Sequence, residues 1–226
     1  MNAPVLTIDG PSGSGKGTIS RRLAGLFEWH LLDSGALYRL AGLAGRRNGV
    51  SLEDARGIAS LATSMDVKFE EDAEGNERIL FSDEDVTRDI RSETCGEDAS
   101  RVASLPEVRE ALFAFQQSFC RPPGLVADGR DMGTQIFPDA PLKVFLTASA
   151  QERADRRYKQ LKDKDIDVSL AALLQDIERR DARDASRAVA PLVPADDAYV
   201  IDSTNQSIDE VVAEVVELKN RIIGIG

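Results

Sequence analysis

The stretch Gly10-Pro11-Ser12-Gly13-Ser14-Gly15-Lys16-Gly17-Thr18 decides the fold of this chain. It follows the apolar run of residues 5–8 and precedes apolar residues at helical spacing over residues 19–27. After a strand, a glycine-rich turn that ends in lysine at a helix N-terminus directs backbone N–H groups onto phosphate oxygens. We therefore predict that residues 10–18 bind the phosphates of a nucleoside triphosphate, with the Lys16 ammonium between the outer phosphates.

The residue after the lysine departs from the strict phosphate-loop pattern, which places Ser or Thr there. Here Gly17 intervenes, so Thr18 is the hydroxyl candidate for the Mg²⁺ shell, directly or through a water molecule. The sequence Gly-Lys-Gly-Thr resembles the loop of nucleoside monophosphate kinases. The alternative, a Gly/Ser turn beside an exposed lysine, does not account for the strand and helix patterns on either side.

Composition limits the class of protein. The chain has 226 residues, enough for one α/β domain with an insertion. Its 39 acidic and 28 basic residues give a net charge of −11. A surface of that sign repels nucleic acid and anionic membranes, so we expect neither as a partner. A small anion can still bind where arginines are concentrated.

The cysteines and the single histidine exclude several kinds of site. Cys95 and Cys120 lie far apart without metal-ligand spacing, which favours two reduced thiols in a cytoplasmic protein. His30 lies in a short apolar run and reads as a half-buried strand residue, so a serine-hydrolase triad or a histidine metal site is not supported. Residues 1–10 lack signal-peptide character, and no apolar stretch reaches transmembrane length. We expect a soluble cytoplasmic protein.

Short apolar runs alternate with helical patterns along the chain, which is typical of a parallel sheet flanked by helices. The predicted strands are residues 5–8, 29–32, 125–127, 142–147 and 198–201. The predicted helices are residues 19–27, 36–47, 51–64 with Ser51 as N-cap, 97–119 interrupted at Pro106, 150–161, 169–189 with a break near Ala182, and 208–223. Residues 66–90 alternate in polarity around a turn cluster at 72–76 and predict a small antiparallel insertion.

Polar residues follow three of the predicted strands. The phosphate loop follows the first, Asp33 and Ser34 follow the second, and the sequence Asp128-Gly129-Arg130-Asp131 follows the third. Because the carboxyl ends of parallel strands face one crevice, we expect a cleft for two substrates there. Arg39, Arg109 and Arg130 are available for a second anionic ligand. A single arginine is more often a solvated surface residue, but their concentration near strand ends favours binding.

Two further arginine groups lie on predicted helices. Arg180, Asp184 and Arg187 share one helical face, with Arg183 beside them, and the other group is Arg153, Arg156 and Arg157. One interpretation is a surface helix with ion pairs. Beside a phosphate loop, the alternative of a mobile lid that closes on the transferring phosphates is preferred.

A nucleoside monophosphate acceptor fits a chain with one histidine. Its phosphate has a second pKa of about 6 and is largely dianionic near neutral pH, so no general base is required. Catalysis then consists of positioning and charge stabilisation by Lys16, Mg²⁺ and the arginines.

Several blocks resemble the bacterial cytidylate kinase family nearly from end to end. Besides the phosphate loop, they are Leu32-Asp33-Ser34-Gly35-Ala36-Leu37-Tyr38-Arg39, Val108-Arg109-Glu110-Ala111-Leu112, Ala127-Asp128-Gly129-Arg130-Asp131-Met132-Gly133-Thr134, Arg180-Asp181 with Arg183-Asp184, and Ser186-Arg187-Ala188-Val189-Ala190-Pro191-Leu192. The blocks Asp33-Ser34-Gly35-Ala36-Leu37-Tyr38-Arg39 and Asp128-Gly129-Arg130-Asp131-Met132-Gly133-Thr134 are much more specific than the phosphate loop, which many kinases share.

The resemblance implies transfer of the γ-phosphoryl group of ATP to CMP or dCMP with Mg²⁺. We expect the protein to be a monomer. It implies one P-loop kinase domain over residues 1–226, with a monophosphate-binding region at 34–120 that includes the 66–90 insertion, and a lid at 150–187. The residues that bind ATP would be Gly10, Pro11, Ser12, Gly13, Ser14, Gly15, Lys16, Gly17 and Thr18.

The resemblance also implies roles for individual residues, which we state as expectations. The cytosine would be read by Ser34, Ser100, Arg109 and Asp131. The acceptor phosphate would be clamped by Arg39 and Arg130, and Arg187 would also contact a phosphate. The ribose would be contacted by Arg180 and Asp184, and Asp128 would belong to the acceptor site. The catalytic set would be Lys16, Arg130, Arg153, Arg157 and Arg187, with Arg153 and Arg157 as lid arginines. The cytosine amino group is a donor that suits the Asp131 carboxylate, whereas uracil presents an acceptor there.

Three alternatives are less well supported. A kinase for UMP, AMP or shikimate would not need Arg109 and Asp131 as base contacts. A nucleotide-dependent switch would need a guanine-reading Asn-Lys-x-Asp and a glutamine that orients water, and the sequence offers neither. A nucleic-acid-binding module is disfavoured by the net charge.

Overall fold

The computed structural model describes residues 3–71, 77–163 and 167–224. Contacts within the chain define two compact units. The first unit comprises Met1–Asp33 and Gln117–Gly226, and the second comprises Ser34–Gln116.

The strands and helices are as follows. The strands are β1 (Val5–Asp9), β2 (His30–Asp33), β3 (Val67–Glu71), β4 (Glu77–Phe81), β5 (Glu84–Asp85), β6 (Leu125–Gly129), β7 (Leu142–Thr147) and β8 (Tyr199–Asp202). The α-helices are α1 (Lys16–Phe27), α2 (Ser34–Arg47), α3 (Ala55–Thr63), α4 (Thr87–Ile90), α5 (Glu93–Val102), α6 (Pro106–Gln117), α7 (Ala150–Lys162), α8 (Leu170–Ala185) and α9 (Ile208–Ile222). A π-helix spans Met132–Ile136.

The first unit is built on a five-stranded parallel sheet in the order β2-β6-β1-β7-β8. This confirms the predicted α/β class and all five predicted strands. The register pairs Asp9 with Gly129 and Asp33 with Asp128. The polar residues at the carboxyl ends of β1, β2 and β6 are therefore aligned at one edge of the sheet.

The core of the first unit lies where α1 and α9 pack against the sheet. It consists largely of branched aliphatic side chains, including Leu6, Ile8, Leu23, Val126, Val144 and Val215. Helix α9 begins at a capping box, in which the Ser207 side chain accepts from the Glu210 amide and the Glu210 side chain accepts from the Ser207 amide. The core and the cap together stabilise the packing of α1 and α9 on the sheet from which the phosphate loop extends.

The second unit combines α2–α6 with a three-stranded antiparallel sheet in the order β3-β4-β5. The apolar side of this sheet packs with α2 through a buried cluster that includes Leu40, Ile79 and Ile90. This confirms the antiparallel insertion, whereas its predicted turn at 72–76 lies outside the described residues. Helix α4 was not predicted within this stretch, because a single turn is too short to show helical periodicity.

Three details of the predicted helices were wrong. The N-cap of α3 is Asp54, whose carboxylate accepts from the Gly57 amide at 3.0 Å, and not Ser51, whose hydroxyl donates to Glu53. Helix α8 continues through Ala182 without a break. The π-helix was missed, since its sequence carries no helical pattern of apolar residues.

Both cysteines are free thiols, and His30 is a half-buried residue of β2 whose Nε2 lies 3.0 Å from the Pro122 carbonyl oxygen. Both findings agree with the sequence-based expectation. Among residues 3–71, 77–163 and 167–224, every helix is too short or too polar to span a bilayer.

Candidate active site

The phosphate loop turns sharply from β1 into α1 and lies tightly against the sheet. A side chain could not replace the hydrogen of Gly10, because a Cβ there would lie 2.0 Å from the Leu146 carbonyl oxygen. Gly15, the N-cap residue of α1, has a φ of 92°, in the left-handed region that favours glycine. Glycine at these positions allows the backbone to come close to a phosphate.

Lys16 is the first residue of α1, and its ammonium donates to the Pro11 carbonyl at 3.2 Å. Its pKa is lowered to about 8, mainly by burial and also by the charges of Arg130 and Arg180, whereas Asp128 and Asp33 act in the opposite direction. These five side chains are therefore near enough to interact electrostatically. Within the described chain, α1 has no side-chain cap and no acidic residue in its first turn. Its N-terminus is therefore suited to an anion.

Side chains from α7 and from the residue after β8 form hydrogen bonds to the backbone of the phosphate loop. Arg153 donates to the Ser12 carbonyl at 3.1 Å, and Arg156 donates to the Ser14 carbonyl at 3.3 Å. The buried Ser203 hydroxyl lies 3.3 Å from the same Ser14 oxygen. These three hydrogen bonds hold the Ser12 and Ser14 carbonyl groups in place.

The arginines of α7 differ in their surroundings. Arg153 is 4% exposed, donates to the Ala148 carbonyl at 3.0 Å and forms two hydrogen bonds to the Asp181 carboxylate on α8. Arg157 is half-buried, and its Nη1 donates to the Gln160 side chain at 3.4 Å. Of these two predicted lid arginines, Arg153 is therefore built into the contact between α7, α8 and the phosphate loop.

Asp184 joins two predicted phosphate-binding arginines. Its side chain is fully buried and forms ion pairs with Arg130, which follows β6, and with Arg187 at 2.5 Å. The Arg130 and Arg187 side chains are 18% and 7% exposed. A carboxylate shared in this way holds two guanidinium groups in a cluster at the carboxyl end of the sheet.

Asp9, the last residue of β1, binds the start of the π-helix. Its two carboxylate oxygens accept from the Met132 and Gly133 amides, each at 2.8 Å. Burial raises the Asp9 pKa to about 7, although the two amides and Lys16 act in the opposite direction. Asp131 stands at the N-cap position of the π-helix and is 4% exposed, but its side chain does not cap the helix.

The other predicted acceptor residues belong to the second unit. Ser34 begins α2 and Ser100 lies on α5, and both are buried. The Arg39 guanidinium donates to the carbonyls of Ile90 at 2.5 Å and Ser92 at 3.1 Å. Arg109 on α6 donates to the Ala103 carbonyl at 3.4 Å, and its guanidinium lies 5.9 Å from the centre of the Tyr38 ring.

The structure thus gathers one part of the predicted site within the first unit. Through the electrostatic and ion-pair contacts above, it brings together Lys16, Asp128, Arg130, Arg180, Asp184 and Arg187. Sequence reasoning missed the contacts of Asp9, Arg156, Asp181 and Ser203. Three of these residues could have been found from the sequence. Asp9 is a charged residue at the end of a buried strand, and Ser203 is a polar residue directly after the last strand. Arg156 is the third arginine of the group that includes Arg153 and Arg157.

The described residues contain no group of three His, Cys, Asp or Glu side chains that could hold a metal ion. They do offer oxygen ligands beside the phosphate loop. A Cβ at Gly17 would lie 3.3 Å from the Asp128 Oδ2, so this carboxylate lies next to the start of α1. The side chain of Thr18, the next residue of α1, is exposed. Mg²⁺ is usually held by one or two such oxygens together with substrate phosphates and water, so this donor set fits it.

Comparison with known proteins gives consistent results. The model of one protein family, described as cytidylate kinase, matches residues 6–221. A cytidylate kinase from Pseudomonas syringae pv. tomato is 58% identical over 96% of this chain and 95% of its own length. The cytidylate kinase of Aeromonas salmonicida is 53% identical over 98% and 96%, and that of Colwellia psychrerythraea is 52% identical over 97% of both chains.

Proposed function

This chain belongs to the cytidylate kinase family, and from that premise we propose that it transfers the γ-phosphoryl group of ATP to CMP or dCMP. The observation that supports this best is the group of cationic side chains around Lys16. Arg130 and Arg180 are close enough to lower its pKa, and Arg187 joins Arg130 through Asp184. A cluster of this kind suits a transition state in which charge is spread over the transferring phosphoryl group.

The donor side is the phosphate loop. The N–H groups of residues 10–18 and the N-terminus of α1 would bind the phosphates of ATP, with the Lys16 ammonium on the outer ones. The hydrogen bonds from Arg153, Arg156 and Ser203 keep the loop carbonyls occupied, which supports a loop arranged for anions before ATP arrives.

Mg²⁺ would be held by Thr18 and Asp128, directly or through water, with Asp33 near enough to share the charge. When bound, the ion neutralises charge on the β- and γ-phosphates of ATP. Arg130 and Arg187 would orient the acceptor phosphate for in-line attack and neutralise its charge. The acceptor dianion is itself the nucleophile, so the chain needs no histidine base.

We assign the selection of the acceptor's nucleobase to buried polar side chains. In the first unit, the Asp131 carboxylate would accept from the cytosine amino group, and Asp184 and Arg180 would contact the ribose. In the second unit, Ser34, Ser100 and Arg109 would contact the base, and Arg39 would contact the phosphate. Arg153 and Arg157 would act from the lid region, residues 150–187. The monomeric state and the cytoplasmic location stay predictions.

A coupled assay of ADP release with ATP and Mg²⁺ tests this function against CMP, dCMP, UMP, AMP, GMP and shikimate. We expect turnover with CMP and dCMP at a kcat/KM about 100-fold or more above that for the other acceptors, because an unsatisfied buried carboxylate rejects the wrong base. ATP without an acceptor should be hydrolysed only slowly. Preferred turnover of UMP, AMP or shikimate would refute the assignment of the base contacts and leave the phosphate loop intact.

A further inference from the structure

Asp9 occupies an unusual position for a carboxylate. It ends the central strand β1, directly before the phosphate loop, and is 5% exposed. The mechanism above gives it no contact with ATP or with the acceptor. Its two oxygens nevertheless accept from two successive amides, those of Met132 and Gly133, at 2.8 Å each.

These two amides are the first of the π-helix, directly after Arg130 and Asp131. An aspartate at an N-cap position ordinarily accepts such amides with its own side chain. Asp131 does not, and Asp9 provides the cap from another strand. The π-helix is therefore capped by Asp9 and not by the Asp131 side chain.

Close packing under the π-helix allows little displacement of its first residues. A Cβ at Gly133 would lie 2.9 Å from the Thr7 hydroxyl oxygen and 3.2 Å from the Lys143 Cδ. Thr7 is fully buried on β1, and its hydroxyl has no hydrogen-bond partner among the described residues. Asp9 is thus the residue of β1 whose side chain hydrogen-bonds to the start of the π-helix, and Thr7 only packs there.

We propose that Asp9 is a positioning residue for base selection, which acts by holding the Met132 and Gly133 amides so that Arg130 and Asp131 keep the orientation that reads the acceptor. This inference rests on the proposed function. Because one carboxylate serves both amides, a side chain with a single acceptor oxygen leaves one buried N–H without a partner. The loop would then relax, and the loss would fall on the acceptor more than on ATP.

The test compares Asp9→Asn with Thr7→Val, a matched control on the same buried strand that removes a hydroxyl without a hydrogen-bond partner. For Asp9→Asn we expect the ratio of kcat/KM for CMP over UMP to fall about tenfold, with the KM for CMP raised and the KM for ATP changed by less than about twofold. Amide hydrogen exchange at Met132 or Gly133 should accelerate in the same variant. Thr7→Val should keep the wild-type ratio.

Each outcome decides the proposal. Wild-type discrimination in Asp9→Asn, or an equal loss in Thr7→Val, would overturn it. If Asp9→Asn does not fold, Gly133→Ala displaces the same residues with Asp9 intact, and an unchanged CMP-to-UMP ratio in that variant would also overturn it. Failure of the wild-type protein to phosphorylate CMP would instead refute the proposed function, so the two failures are distinguishable.

Discussion

The guanidinium of Arg130 forms an ion pair with the carboxylate of Asp184, whose side chain is completely buried. Arg130 follows β6 and Asp184 lies near the end of α8, so the pair joins two segments that are 54 residues apart in sequence. Arg187 completes the group from the other side of the same carboxylate. Asp184 thereby holds two arginines whose charges would otherwise repel each other.

Replacement of Asp184 by Ala should reduce both stability and function. Removal of one partner of a buried ion pair typically costs about 3–5 kcal/mol, because the remaining charges stay buried. We expect a loss of that size in the free energy of unfolding and a raised KM for CMP. Asp176→Ala, on the same helix but in an exposed pair with Arg179, should cost less than about 1 kcal/mol in chemical denaturation. Equal losses in the two variants would contradict this role for Asp184.

Lys16→Met should abolish turnover with little effect on folding. The ammonium donates a hydrogen bond to the Pro11 carbonyl, and its burial beside two arginines is electrostatically unfavourable. We expect kcat to fall by about 100-fold or more, as for other groups that stabilise developing negative charge. Arg22→Ala, which removes an exposed ion pair on the same helix, is the control and should retain activity. Near-normal turnover in Lys16→Met would exclude the assigned role.

The pH dependence of ATP use should report on Lys16. We expect its protonated form to bind phosphate, and its pKa is about 8, so kcat/KM for ATP should fall as the pH rises through this value. Asp128→Asn removes an attractive charge and should move the fall to lower pH, whereas Arg180→Gln removes a repulsive one and should move it to higher pH. Rate measurements at saturating CMP from about pH 6 to about pH 10 would check both directions. Shifts of the same sign in both variants would be inconsistent with this account.

The two predicted lid arginines should respond differently to substitution. Arg153→Ala should lower the free energy of unfolding by about 2–3 kcal/mol, because it leaves the Asp181 carboxylate and the Ser12 and Ala148 carbonyls without their charged donor. Arg157→Ala should lower kcat with less effect on stability. Lys159→Ala, at an exposed position of the same helix, should alter neither by much. Thermal unfolding combined with initial rates separates the two roles, and an Arg153 variant of wild-type stability would refute the structural one.

Asp131→Ala should weaken the choice of CMP over UMP more than it weakens ATP binding. Loss of a hydrogen bond to the cytosine amino group affects the acceptor alone, and we expect the ratio of kcat/KM values to fall about tenfold to 100-fold. The KM for ATP provides the internal control. Unchanged discrimination would count against Asp131 as the base-reading group.

Local patterns in the sequence were sufficient for the phosphate loop, the five strands of the parallel sheet and the antiparallel insertion. These features depend on neighbouring residues, since glycine conformation, apolar alternation and capping act over a few positions. The misplaced N-cap of α3 shows the limit of such reasoning. Ser51 and Asp54 are both good caps, and only the path of the chain decides between them.

The partners of the charged residues were decided by the tertiary structure. Asp9 reaches the Met132 amide 123 positions later because β6 lies beside β1, and no local pattern specifies that strand order. Likewise, Arg153, Arg156 and Arg157 look alike in the sequence, but their positions around α7 give them different neighbours. Sequence patterns alone gave the strands of the parallel sheet, the antiparallel insertion and the strand–turn–helix arrangement of residues 5–27. The packing of distant elements determined which charges meet, because burial and pairing energies depend on distances that only the folded chain establishes.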